Sequence, residues 1–135
     1  MPDRFSADER SAVMRAVRSK DTTPELIVRR IVHRLGYRFR LHVKSLPGTP
    51  DVVLARHRKI IEIRGCFWHM HHCGRCTIPL ARHEWWKRKL MRNAERDRLS
   101  IRKLRRGGWR VLVVWECRTR DVEKLAAGLA KFLSA

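Results

Sequence analysis

Residues 65–76 read GCFWHMHHCGRC and bring three cysteines, three histidines and two aromatic rings into twelve positions. The cysteines of the chain are Cys66, Cys73, Cys76 and Cys117, and the histidines of this stretch are His69, His71 and His72. Thiolates and imidazoles at short spacing are the donor set of Zn²⁺. A tetrahedral site closes on four donors and this cluster offers more, so a donor is left for another task. A zinc that joined the stretch to the distant Cys117 would pin a long loop and contribute folding energy directly.

A second chemistry is suggested by acids, which are scarce here. Asp51 follows the loop LPGTP and opens an apolar run, and the next run ends in Glu62-Ile63-Arg64. An acid facing an acid-x-base across two strands is how many nucleases hold Mg²⁺ against a phosphodiester. The metal polarises the phosphoryl oxygen and acidifies an attacking water. The pattern is short, and an aspartate at a strand start is equally a turn former. Further on, Trp86, Lys89 or Leu90, Asn93 and Asp97 recur at three- and four-residue steps and share one helical face. Such a face suits the wall of a polar cleft better than a core. Glu25, beside a helix start, is explained as well by a favourable charge at the helix N-terminus.

The elements that must position these groups follow from periodicity and punctuation. Residues 7–18 form a short basic amphipathic helix. Thr23 is the expected N-cap of a helix that takes Pro24 at its first position and runs to about Leu35, with Gly36 as the stop. YRFRLH (37–42) alternates as a strand. DVVLA (51–55) and KIIEI (59–63) form an antiparallel hairpin. A long basic helix spans 82–106 and stops at Gly107-Gly108. WRVLVVWE (109–116) is a strand buried on both faces, and 121–133 is an amphipathic helix with Leu125, Leu129 and Phe132 or Leu133 inward. The order predicts one α/β domain over 1–135, a mixed sheet with helices on both faces.

Lys and Arg number 32 against 13 Asp and Glu, a net charge of +19 over 135 residues. Self-repulsion of that size calls for a polyanionic partner, and nucleic acid fits best. No apolar run is long enough to span a bilayer and MPDRFSADER is no signal peptide, so a cytoplasmic location with no membrane partner is expected. There, cysteines serve as thiols or metal ligands. Phe67, Trp68, Trp85 and Trp86 on a basic surface can stack on bases or wedge between them, whereas Trp109 and Trp115 are simplest as core.

Four motifs in order, LPGTPD, GCFWHMHHC, EWW with MRNAERD, and GWRVLVVWEC, resemble the very-short-patch repair (Vsr) endonucleases of bacterial DNA mismatch repair over roughly residues 10–120. The resemblance implies a restriction-endonuclease-like mixed sheet flanked by helices, with a structural zinc site. It implies a Mg²⁺-dependent nick 5′ to the thymine of a T:G mismatch in double-stranded DNA, the lesion left by deaminated 5-methylcytosine. Carried over, Asp51 and the backbone carbonyl of Ile63 would bind Mg²⁺, and His69 would be the general base. Glu25, Asn93 and Asp97 would hold waters of the metal or position the site. Cys66, His71, Cys73 and Cys117 would bind zinc, and Phe67, Trp68 and Trp86 would be the wedge.

This chain departs from the family pattern in two places. Residue 63 is Ile where Thr can stand, which is tolerable if only its carbonyl binds metal; Glu62 is the alternative ligand from the other strand face. Cys76 is an extra thiol, C-x-x-C with Cys73, able to replace a zinc ligand. The protein is expected to act as a monomer, with residues 1–20 gripping phosphates and other mismatch-repair proteins as further partners. Two alternatives remain: a zinc-stabilised DNA-binding module without catalysis, and a nuclease with a different target.

Overall fold

The computed structural model describes residues 21–71, 73 and 77–135; the helix expected at 7–18, His72 and Cys76 lie outside the described residues. The first helix, α1 (Thr23–Arg34), is capped by Thr22 rather than Thr23. The Thr22 hydroxyl accepts the Glu25 amide at 3.4 Å, and Pro24 moves to the second helical position, where no intrahelical N–H is needed. The helix stops at Leu35, and Gly36 then takes φ +89°.

YRFRLH yields a strand of only two residues, β1 (Arg40–Leu41), paired to β2 (Val52–Leu54). Tyr37 and Phe39 spend their aromatic rings on the core from irregular backbone instead. β2 turns through a 3₁₀ segment, Ala55–His57, and through Arg58 in the left-handed region (φ 56°) into β3 (Lys59–Arg64). These two strands pair antiparallel, with Val52 opposite Ile61, as the hairpin reading expected.

The long helix α2 (His83–Arg106) then carries the chain back so that β4 (Arg110–Trp115) runs parallel to β3. The four-stranded sheet has the order β1-β2-β3-β4, and α3 (Val122–Ser134) closes the described chain. The architecture is the expected α/β mixed sheet flanked by helices. β4 differs from its expected double burial: only Val114 is fully buried and Arg110 is exposed. Helices cover both of its faces, with Val111 toward α2 and Leu112 and Val114 toward α1 and α3, but among the described residues no strand pairs with its outer edge.

Strand alternation decides where the site must be. Val52, Leu54, Ile61 and Ile63 pack on one face against Val28, Ile31 and Val32 of α1 and Leu125, Leu129 and Leu133 of α3. Val53 and Ile60 pack on the opposite face against Leu104 of α2. Residues 51, 62 and 64 belong to this second face, beneath α2. The start of β3 is locked separately: the Lys59 ammonium donates to the carbonyls of Phe132, Leu133 and Ala135 at 2.7–2.9 Å, satisfying the end of α3. Burial, with the charge of Arg110 second, pulls the Lys59 pKa below its ordinary value.

The loop before Asp51 touches α2 through Gly48, which sits at φ +75°; a Cβ there would fall 2.7 Å from Cβ of Ser100. Gly48→Ala therefore combines left-handed strain with a backbone shift, and a loss of about 1–3 kcal/mol is expected. Urea unfolding of the variant checks it.

Candidate active site

Under α2 the fold leaves a cleft of about 910 Å³ whose lining includes Glu25, His42, Asp51, Glu62, His69 and Asp97. Asp51 precedes β2, and its Oδ2 accepts the Ile63 N–H at 2.8 Å, while Oδ1 is 3.7 Å from His42 Nδ1. Burial raises its pKa to about 6 against the Ile63 hydrogen bond, with help from the charge of Glu25. The register that sets Val52 opposite Ile61 sets Asp51 opposite Glu62. The Glu62 carboxyl is pushed to about 7 by burial first and by the charge of Asp51 second. Ile63 lines the cleft through its backbone, since its side chain is core on the other face. Isoleucine is thus compatible with a site that uses only its peptide group.

Glu25 is more than a helix N-terminal charge. It is buried, accepts the Asp21 amide and Arg29 Nη2, each at 2.9 Å, and lies 3.4 Å from His42 Nε2. Arg29 also pairs with Asp21 at 2.8 Å, so one guanidinium fixes this corner. Across the cleft, His69 Nδ1 contacts Asp97 Oδ2 in a short hydrogen bond. Asp97 lies 3.9 Å from Arg64 Nη1, and Asn93 Nδ2 donates to the Trp68 carbonyl at 3.3 Å. The Asn93–Asp97 face of α2 is therefore the polar wall its spacing suggested, and it grips the loop that carries Trp68 and His69.

The rings of Phe67, Trp68 and Trp86 form a mutual cluster with centroids 5.2–5.9 Å apart. Trp86 is buried at 6% exposure, while Phe67 and Trp68 are half-buried and line the cleft. Trp85 lies outward beside it, with the Arg82 guanidinium 4.5 Å and the Lys89 ammonium 5.3 Å from its ring.

Sheet register also builds the cysteine corner. Parallel pairing of Arg64 with Trp115 carries on to bring Cys66 beside Cys117, in the 3₁₀ segment Glu116–Thr119. The loop folds back through His71 N–H to the Cys66 carbonyl at 2.9 Å, and the His71 ring stacks on Trp115 at 4.1 Å. One donor atom from each of Cys66, His71, Cys73 and Cys117 lies within 4.8 Å of the others. A Cys₃His set gathered this closely can hold a tetrahedral zinc. Burial chiefly, then the side-chain hydrogen bonds with Cys117 and Cys73, pushes the Cys66 thiol up to about 12.

All the expected site residues thus fall at the cleft, in the aromatic cluster bordering it, or in the cysteine corner. Sequence reasoning missed His42, Arg29, Arg96 and Ser100. His42 had the weakest signal, a histidine closing an aromatic-basic alternation; it sits at φ 47°, where the strand has already ended.

A family model described as DNA mismatch endonuclease Vsr matches residues 2–75. The chain is 45% identical over 133 residues to the type II nicking enzyme V.XorIIP of Xanthomonas oryzae pv. oryzae, covering 98% of each chain. It is 44% identical over 125 residues to the DNA mismatch endonuclease Vsr of Escherichia coli, covering 93% of this chain and 80% of that one. To the type II nicking enzyme V.NmeAIP of Neisseria meningitidis it is 38% identical over 121 residues, 90% and 86% of the two chains.

Two outcomes are expected from this geometry. In protein supplied with zinc, Cys117→Ala should take up less of the metal than the wild type and show a lower thermal midpoint, as read by metal analysis and calorimetry, because it removes one donor of the Cys₃His set. A carboxyl whose folded pKa is raised stabilises the fold while protonated, and that contribution is lost as pH climbs from 3.8 through about 6. In magnesium-free buffer, Asp51→Asn should therefore gain stability over the wild type across that window, measured by urea unfolding at successive pH values.

Proposed function

The chain belongs to the Vsr family of DNA mismatch endonucleases, and on that footing we propose that it nicks one strand 5′ to the thymine of a T:G mismatch, with Mg²⁺ as its catalytic ion. One observation carries this reading: the carboxylates, the His69–Asp97 pair and two rings of the aromatic cluster open onto the same cleft. Double-stranded DNA suits a +19 chain, and no helix among the described residues is long and apolar enough to cross a membrane.

Asp51 and the Ile63 carbonyl would hold the Mg²⁺, and two adjacent buried carboxyls with raised pKa values fit a divalent cation. When bound, the ion supplies polarisation of the phosphoryl oxygen and a more acidic attacking water. His69 Nδ1 is engaged by Asp97, which leaves Nε2 as the nitrogen that takes the proton of that water. Asn93 keeps His69 in range by holding the adjacent Trp68 carbonyl, and Glu25 steadies the Asp51 side through His42.

Phe67, Trp68 and Trp86 act as the wedge. Unstacking a base step costs a few kcal/mol, least where pairing is already weak, and this favours a mismatch over paired DNA. Zinc on Cys66, His71, Cys73 and Cys117 would be structural, stiffening the loop that carries wedge and base. Residues 1–135 act as one nuclease domain, a monomer in the cytoplasm, with residues 1–20 on the phosphates and other mismatch-repair proteins as further partners.

Nicking of labelled T:G and fully paired duplexes tests the reading. Asp51→Ala should abolish nicking while DNA binding persists, and His69→Ala should slow it by about 10²–10⁴-fold. Equal cutting of paired and mismatched duplexes would remove the mismatch specificity; no cutting at any Mg²⁺ concentration would remove the Mg²⁺-dependent enzyme reading.

A further inference from the structure

We propose that His42 is a positioning residue of the cleft: Arg29 fixes its ring with the proton on Nδ1, and that N–H orients the Asp51 carboxylate toward the divalent cation. The inference rests on the Mg²⁺ reading above and adds the group that aims its acid ligand.

The backbone brings the ring to Asp51. β1 ends at Leu41, opposite Val52, and the next residue, His42, still donates its amide to the Asp51 carbonyl at 3.1 Å. His42 takes φ 47°, a region that residues with a side chain seldom adopt. Its ring lines the cleft and stands between two acids. Nε2 is 3.4 Å from Glu25 Oε2, and Nδ1 is 3.7 Å from Asp51 Oδ1. Those two distances do not choose which nitrogen carries the proton.

Arg29 makes the choice. Its Nη2 is 2.9 Å from Glu25 Oε2 and 3.1 Å from His42 Nε2, while Nη1 pairs with Asp21 at 2.8 Å. A terminal guanidinium nitrogen has two hydrogens and accepts none. One Nη2 hydrogen goes to Glu25 and the other to His42, so Nε2 accepts. A hydrogen on Nε2, in the other tautomer or in the imidazolium, would set two donors against each other across 3.1 Å. Glu25 and His42 are thus joined as two acceptors of one guanidinium nitrogen.

With Nε2 occupied, the ring proton sits on Nδ1 and faces Asp51 Oδ1. At 3.7 Å this is a charge–dipole contact, longer than a full hydrogen bond, of the kind that tightens when a site is loaded. The other oxygen, Oδ2, accepts the Ile63 N–H at 2.8 Å. One N–H directed at each oxygen sets the plane of the carboxylate, as the outer partners of metal-ligating carboxylates do.

Two measurements test the assignment on zinc-loaded protein free of DNA. Long-range proton–nitrogen NMR of isotope-labelled histidine reads the tautomer at about pH 8.5, well above the ordinary imidazole value. The His42 signals, identified by their loss in His42→Asn, should show Nδ1 protonated. Titration with Mn²⁺, with the unbound ion followed by electron paramagnetic resonance, reads cation uptake. His42→Gly suits the left-handed backbone and removes the ring, and it should weaken Mn²⁺ binding by at least about tenfold. His42→Asn also tolerates that backbone and keeps an N–H where Nδ1 stands, so it should bind Mn²⁺ close to the wild-type affinity. A ring protonated on Nε2 overturns the proposal and leaves the Asp51 reading standing; because this is read on the unaltered chain, it decides even where a variant fails to fold. So does wild-type affinity in His42→Gly beside a weakened Asp51→Asn, or an equal loss in the glycine and asparagine variants. Equal affinity in all variants, Asp51→Asn included, or no uptake by the wild type, overturns both.

Discussion

The parallel pairing of β3 with β4 is the constraint on which the rest of this structure depends. Parallel neighbours cannot be joined by a tight turn, so the chain must cross over, and here α2 is part of that crossover. Laid back across the sheet, α2 roofs the face that carries Asp51, Glu62 and Arg64 and lowers Asn93 and Asp97 onto them. The same pairing brings the C-terminal ends of both strands side by side. Cys66 and Cys117, fifty-one positions apart in number, become neighbours because residue 64 pairs with residue 115. One register thus sets both the cysteine corner and the polar wall of the cleft.

Charge is organised by the same frame. A strongly basic chain gathers five of its acids, Glu25, Asp51, Glu62, Asp97 and Glu116, around one cleft. Glu25 is neutralised at close range by Arg29, and Asp97 is held by His69. Asp51 and Glu62 are left with weaker compensation, and burial lifts both toward neutrality, helped by the charge of Glu25 at Asp51 and of Asp51 at Glu62. The surrounding positive field attracts a polyanion, and within it a small negative pit attracts a cation. Both are needed where a hard ion must meet a phosphate.

Much of this was legible in the sequence because it rests on local signals. The 3.6-residue period of α2 and α3, the apolar runs of β2 and β3, and the Asn93–Asp97 spacing all survived folding intact. Thr22 displaced Thr23 as cap because either hydroxyl can serve and only backbone geometry chooses. β1 is two residues long, and Tyr37 and Phe39 pack against the main core cluster from irregular backbone. β4 read as doubly buried because composition reports the covering of faces and says nothing of its place at the end of the strand order among the described residues. His42 and Arg29 escaped notice because their partners are brought near only by tertiary structure.

The two metal-binding chemistries are kept apart by hardness as well as by position. The corner at the ends of β3 and β4 offers sulfur and nitrogen, which favour zinc; the cleft under α2 offers oxygen, which favours a harder ion. His69 lies in sequence between the cysteines, and a free imidazole there would compete for zinc. Its Nδ1 is bound to Asp97, and the wall of α2 turns its ring toward the cleft, while His71 is held by Trp115 on the opposite course. Loop residues 65–71 therefore place Cys66 and His71 in the cysteine corner and Phe67, Trp68 and His69 at the cleft, with the two histidines each claimed by a different rigid element.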